Sequence, residues 1–322
     1  MNLLEKIRGG IIGVAVGDAL GVPYEFLSRD EMKERPVKDM VGYGSHNQPP
    51  GTWSDDSSLT FCLMEGLLEG YNTKNIADKF IAWYDESYWT AHGNVFDIGV
   101  TTRQSIFYMK KGHTPEICGG MDEYSNGNGS LMRILPLIYF IKNTENIDER
   151  YQMIKDISSL THAHLRSVIA CFIYVEYAIE LLNNSNKIDA YQITKNRVNT
   201  YLKTKGLNPK ELGFYFDILE SDIHSIGEDR ISGSGYVVNS LKASLWCFIN
   251  TDNYKDAVIK AVNFGEDTDT TAAITGGLAG LHYGLDAIPK AWRDKIAKYN
   301  QIEDLIFRFY KSLENETQNK TI

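Results

Sequence analysis

Cysteine, proline and basic charge are all scarce in this chain, and it has no long apolar run. The four cysteines, Cys62, Cys118, Cys171 and Cys247, form no CxxC pair among 322 residues. That excludes a zinc-ribbon site or a disulfide frame and leaves four small buried hydrophobes. The longest apolar stretch, ILPLIYFI at 134–141, contains a proline and is far short of the ~20 residues that span a bilayer. The N-terminal MNLLEKIRGG carries Glu5, Lys6 and Arg8 and lacks a signal-peptide layout, so a cytoplasmic protein is expected. A net charge of −9 lacks the basic footprint of general nucleic-acid binding. It leaves room for a nucleotide-like ligand in one local pocket.

Alternating strand patterns are few as well, and what is present is helical. Apolar residues recur at three and four over 58–69, 74–85, 97–109, 147–160, 163–182, 236–249, 254–263 and 299–312, the period of half-buried helices. Thr73, Asp97, Ser130, Asn146, Thr161, Asp252 and Asp267 stand where helix caps are expected. Hydrophobic residues at 43% and charged residues at 23% suit a chain with a sizeable core. No Pro/Gly/Ser-rich linker, repeat or low-complexity block divides it. The expectation is one all-α multi-helix domain over residues 1–315, a monomer, with a polar loop at 183–189 and a frayed tail at 316–322.

Two segments place small residues at every fourth position: Gly9, Gly13, Gly17 and Gly21, then Ala272, Gly276, Gly280 and Gly284. Each glycine inside a helix costs about 0.5–1 kcal/mol relative to alanine. A ridge of them implies that another helix packs at close range, so these helices belong at the centre and their ends are held rigidly.

Two acidic clusters carry the chemistry, the second at the start of the later ridged helix. GTWSDDSSLT at 51–60 crowds Asp55 and Asp56 with Ser54, Ser57 and Ser58 against an apolar run, and GEDTDTT at 265–271 does the same with Glu266, Asp267, Asp269, Thr268, Thr270 and Thr271. One Asp at a helix start is an N-cap, contributing about 1 kcal/mol. A cap needs only one, and surplus buried carboxylates repel one another and rise in pKa unless a hard divalent cation neutralises them through oxygen ligands. NGNGSLMR at 126–133 reads either as a phosphate cradle opening a helix or as an ordinary turn. His162 and His164 read as core or cap residues, since imidazole is a less natural partner for a hard cation. Glu25, among apolar neighbours, is a candidate general acid–base or a surface-loop acid. Asp97 reads first as a helix cap.

The motifs GVAVGDALGVPYEF, GTWSDDSS, FDIGVTT, NGNGSLMRILPL, LTHAH, SGYVVNSLKASLW and FGEDTDTTAAITGGLAGLHYG occur in the order found in the ADP-ribosylglycohydrolases. From about residue 5 to 310 the chain resembles most the bacterial type that reactivates dinitrogenase reductase. The resemblance implies an all-α fold with two Mg²⁺ or Mn²⁺ ions in a cleft. It implies Ser54, Asp55, Asp56, Asp267, Asp269 and Thr270 as metal ligands, and Glu25 as the acid at the mouth of that site. Gly129, Ser130, Leu131 and Met132 would hold a diphosphate, His162 would contact the distal ribose, Tyr236 would stack on adenine, and Asp97 would take a catalytic role. Ser54 and Ser57 stand where many relatives carry threonine, and a serine hydroxyl can still ligate. The implied substrate is an ADP-ribosylated protein, linked through arginine, or an ADP-ribosyl small molecule. The glycosidic bond would break through an oxocarbenium-like or ring-opened state, with Glu25 or Asp97 moving protons.

Other readings compete. DTDTT fits the DxDxT signature of haloacid-dehalogenase-like phosphatases, but there the motif follows an early strand and here it lies late in a helical chain. Hydrolysis of serine-linked ADP-ribose, a non-cleaving ADP-ribose reader and a structural relative akin to lens crystallins are further alternatives. The enzyme reading stands on one juxtaposition: the acids near 55 and near 268 must meet in space.

Overall fold

The computed structural model describes residues 1–183 and 186–319. Eleven helices of eight residues or more carry the described fold: α1 (Leu3–Gly21), α2 (Asp55–Gly66), α3 (Thr73–Glu86), α4 (Val100–Lys110), α5 (Ile147–Ser159), α6 (Leu165–Asn183), α7 (Lys187–Thr204), α8 (Val237–Ile249), α9 (Tyr254–Val262), α10 (Thr268–Tyr283) and α11 (Tyr299–Asn319). Among the described residues no strand forms, only isolated bridges such as Gly127 with Tyr236. No described helix is long and apolar enough to cross a membrane.

α1 and α10 are the axis of the molecule. Both are buried on all sides, α1 from Gly9 to Gly21 and α10 from Thr268 to Leu281, as expected of helices that are apolar all round. The two small-residue ridges face each other. A Cβ at Gly13 would strike the Gly276 carbonyl, and one at Gly17 the Ala272 carbonyl. At the end of this seam a Cβ on Gly21 would meet the Asp269 backbone, and the Thr268 hydroxyl donates to the Gly21 carbonyl at 2.8 Å. The C-terminus of α1 is thereby locked against the N-terminus of α10. Helices α2, α8, α9, α6 and α11 pack around this pair. The buried Arg150 guanidinium ties α5 to α6 by donating to both Glu176 carboxylate oxygens, at 2.6 and 2.9 Å.

The eight expected helices are present with boundaries shifted by a few residues, and α7 and the short helix Pro136–Ile141 join them. Asn146 stands at its expected cap position. Asn72 and Asn253, rather than Thr73 and Asp252, supply the caps of α3 and α9, because the asparagine one residue away accepts the orphan N–H groups. Ser130 caps nothing: residues 129–133 are turns and the helix starts at Pro136. Thr161 precedes α6 by four residues and instead hydrogen-bonds His162 Nδ1 at 2.9 Å. The four cysteines are free and buried. The expected loop at 183–189 includes 184–185, which lie outside the described residues, and α7 begins at Lys187. Of the tail expected at 316–322, α11 takes in residues up to Asn319, and 320–322 lie outside the described residues.

Candidate active site

The two acidic clusters meet. α2 and α10 point their N-termini at one place, and the Thr270 hydroxyl donates to Asp56 Oδ2 at 3.2 Å across 214 residues of sequence.

Capping does not use up the acids. At α2 the Ser54 hydroxyl accepts from the Asp56 N–H at 3.3 Å. A residue the sequence reading passed over, Asp18 of α1, takes the rest: its carboxylate accepts from the Ser54 and Ser57 N–H groups at 2.9 and 3.0 Å and from the Ser57 hydroxyl. Asp55 and Asp56 are left over. At α10, Asp267 occupies the N-cap position but its side chain makes no capping bond; Asn128 Nδ2 donates to its Oδ2 at 2.9 Å instead. Three buried carboxylate oxygens therefore have no partner: Asp56 Oδ1, Asp267 Oδ1 and Asp269 Oδ2. A buried carboxylate lacking donors is strongly disfavoured. Ligand oxygens of Asp18, Asp56 and Asp269 lie within 4.8 Å of one another, as do those of Glu25, Asp267 and Asp269. All-oxygen donors of this kind suit a hard divalent cation.

The electrostatics agree. Burial, then the neighbouring acids, pushes Asp55, Asp56 and Asp269 well above the carboxylate range. Burial raises Asp267 as well. Asp18 rises less, to about 6, because its serine donors offset part of the burial. Glu25 is pushed up to about 8 by burial and by Asp267. Asp97 also reaches about 8, through burial and through Glu25.

A cavity of about 240 Å³ adjoins this cluster, lined by Glu25, Asp55, Asp97, Asp267 and Thr270 together with Tyr124, Gly127, Gly129, Met132 and His162. Asp97 is not the cap of α4. That position belongs to Gly99, and Asp97 adopts φ +58°, a left-handed conformation that aspartate tolerates better than most residues and that leaves its carboxylate on the cavity wall. Ser54, Asp56 and Asp269 lie beneath the wall. His162 is held with Nδ1 against Thr161, and burial lowers its pKa to about 3, so the ring is neutral. A Cβ at Gly129 would sit 2.8 Å from that ring, which is why glycine is needed there.

The four residues expected to hold a diphosphate divide between the cavity wall and the core. Gly129 and Met132 line the cavity, but Ser130 and Leu131 do not: both are fully buried, and the Ser130 hydroxyl accepts from Ser158 at 2.9 Å on the core side. Tyr236 does not line the cavity, though its backbone pairs with Gly127, which does, whereas Tyr124, almost fully exposed, lines it. Arg133 is buried under the loop. It donates to the Gly129 carbonyl and, at 3.0 Å, to that of Ile157, fixing the turn from below. Asp18, Asn128, Arg133 and Tyr124 all escaped the sequence reading as site residues. The arginine inside SLMRILPL, a charge in an apolar run, was the clearest available signal.

A helical domain in which the starts of α2 and α10 bring surplus carboxylates to one cleft offers a set of oxygen donors that suits a hard cation. The sequence profile of ADP-ribosylglycohydrolases matches residues 1–319, and the chain belongs to that family. It is 31% identical over 319 residues to an ADP-ribosylarginine hydrolase, Tri1, of Serratia proteamaculans, covering 97% of this chain and 81% of that one. It is 28% identical over 297 residues to the ADP-ribosyl-[dinitrogen reductase] glycohydrolase of Rhodospirillum rubrum, covering 91% and 90%. A solved structure described as an ADP-ribosylglycohydrolase-related protein complex superposes with a TM-score of 0.80 at 29% identity, covering 97% of this chain and all of that one. Family membership agrees with the expectation of a glycosidase.

Proposed function

We propose that this protein is a divalent-metal-dependent glycosidase that releases ADP-ribose from ADP-ribosylated arginine on a protein. The observation that carries the reading is the set of partnerless buried oxygens on Asp56, Asp267 and Asp269, drawn from two distant helix starts beside a cavity that Asp55 and Asp267 line. Ser54, Asp55, Asp56, Asp267, Asp269 and Thr270 would hold the cation. The two acid groupings that share Asp269 suit a pair of ions, Mg²⁺ or Mn²⁺. When bound, such cations supply positive charge that orients sugar hydroxyls and acidifies water.

The remaining steps belong to the chain. Glu25 and Asp97, pushed up to about 8 by burial, keep a proton between them near neutrality, and can give it to the departing guanidinium nitrogen and take one from water. Asn128 fixes the rotamer of Asp267. The neutral His162 offers Nε2 to a ribose hydroxyl without repelling a cation. The Gly127–Gly129 backbone, clamped from below by Arg133, runs along the wall where a diphosphate would lie, and Tyr236 or Tyr124 would face adenine. The arginine linkage is favoured by the named arginine hydrolase among the relatives.

With Mg²⁺ or Mn²⁺ the purified protein should release ADP-ribose from an ADP-ribosylarginine protein, and Asp55→Ala or Asp267→Ala should abolish release. Full turnover in excess chelator would overturn the reading. A panel of arginine-, serine- and nucleic-acid-linked substrates fixes the acceptor.

A further inference from the structure

His46 stands outside the motifs that mark the site, five residues before GTWSDDSS, and does not line the cavity, yet it is bonded to an acid that does. It closes the short turn Gly44–His46 between α1 and α2. Its Nε2 is hydrogen-bonded to Glu25 Oε2 and lies 3.9 Å from Asp97 Oδ1. The three side chains bring one ligand-type atom each within 4.8 Å of one another. The ring is clamped between Phe26, at 5.7 Å between centroids, and Phe96, at 5.2 Å.

The turn that carries His46 is fixed to the strand of chain that carries Glu25. The Ser45 hydroxyl donates to the Glu25 carbonyl. Gly44, at φ +55°, lies so close over the Pro23 carbonyl that a Cβ would collide with it. Imidazole, turn and carboxylate therefore form one rigid unit at the cavity mouth. Glutamate has three rotatable side-chain bonds, and a free Glu25 at this mouth could swing away from the cluster toward solvent.

We propose that His46 is a positioning residue for Glu25, holding its carboxyl group toward Asp97 and the acidic floor of the cavity so that it can transfer a proton. This rests on the hydrolase reading above. Misplacing a catalytic group by about 1 Å can cost about 10²-fold in rate, so His46 should act on turnover and leave substrate affinity nearly untouched. Phe26 and Phe96 serve the same end by denying the ring other rotamers.

The test uses the full chain loaded with Mn²⁺, an ADP-ribosylarginine protein as substrate, and four variants: His46→Ala, His46→Gln, Glu25→Gln and the double His46→Ala/Glu25→Gln. His46→Ala should lower kcat by about 10–100-fold with KM within about threefold of wild type. His46→Gln places an amide nitrogen near the position of Nε2 and should recover most of that loss. The double variant should be no slower than Glu25→Gln alone, since the two residues act as a unit. Unchanged kcat in His46→Ala, a loss confined to KM, or additive losses in the double variant would each overturn the proposal. If His46→Ala does not fold, His46→Gln and the His46 ring NMR signals decide. Those signals should move in Glu25→Gln, and unmoved signals overturn the pairing. The same spectrum separates the two levels of inference. A wild-type chain inactive on every ADP-ribosylated substrate sinks the hydrolase reading, while the ring signals still judge the His46–Glu25 pairing.

Discussion

Removing divalent cations should make the stability of this protein fall steeply as pH rises, and restoring them should flatten the curve. In the metal-free fold Asp18 titrates near 6 and Glu25 and Asp97 near 8, with Asp55, Asp56 and Asp269 higher than ordinary carboxylates. The unfolded chain releases the same protons near 4. A folded pKa raised above the unfolded one means that the folded state binds more protons between the two values. Stability from these groups is then complete below about pH 4 and declines as pH climbs through the folded values. Each proton retained costs about 1.4 kcal/mol per pH unit. Counting Glu25 and Asp97 together as a single retained proton, because each disfavours ionisation of the other, that pair alone loses about 2.7 kcal/mol between about pH 6 and pH 8, and the deeper acids add to it. At roughly 2 °C per kcal/mol for a chain of this size, the melting temperature should drop by at least about 5 °C. A bound cation replaces those protons, so millimolar Mn²⁺ should raise the midpoint more at the higher pH than at the lower. Differential scanning calorimetry on chelated and Mn²⁺-loaded protein at the two pH values reads this directly. A cation-induced shift that is equal at both, or larger in acid, would refute the claim that the carboxylates of α2 and α10 hold the ion.

Three further outcomes follow from the packing. Asp18→Asn keeps the shape of the trans-cap but removes its charge, and should weaken Mn²⁺ affinity about 10–100-fold as supporting partners of metal ligands do, read by electron paramagnetic resonance; unchanged affinity would remove Asp18 from the site. Gly13→Ala drives a methyl into the Gly276 carbonyl, so despite alanine's better helix propensity it should destabilise by about 1–3 kcal/mol in chemical denaturation, and a stabilised variant would show that the seam has slack. Tyr124→Ala should raise KM about fivefold or more, the worth of a base–aromatic contact of at least 1 kcal/mol, with kcat nearly constant, and Tyr236→Ala should raise it less because Tyr236 does not line the cavity. The reverse order would return the adenine contact to Tyr236.

How much of this was legible in the sequence depended on whether a feature is carried by period or by closure. That α1 and α10 each take a helix at close range was legible because a four-residue ridge of glycine and alanine has one economical explanation, close backbone packing; that they take each other was not. The acidic clusters were legible because both sit where helical period begins. α7 went unread although its buried residues, Ala190, Tyr191, Thr194, Val198, Tyr201 and Leu202, keep the three-four spacing, because half of them are tyrosine or threonine and do not register as apolar. Asp97 was read as a cap because sequence gives a residue's type and place but not its φ. Ser130 is placed at a diphosphate by resemblance, and sequence does not tell which side of that turn its hydroxyl faces; it faces the core, where it accepts from Ser158. Asp18 is the instructive omission. Whether Asp55 and Asp56 are caps or surplus turns on who accepts the first N–H groups of α2, and the acceptor lies on another helix, 36 residues from Ser54 and 39 from Ser57. The acids near 55 are free for chemistry because α1 does their structural work, and α1 can reach them only because its glycines let it lie against α10. The ridge that places the helices and the charge that spares the ligands therefore belong to the same helix, and the site is a consequence of how that helix packs.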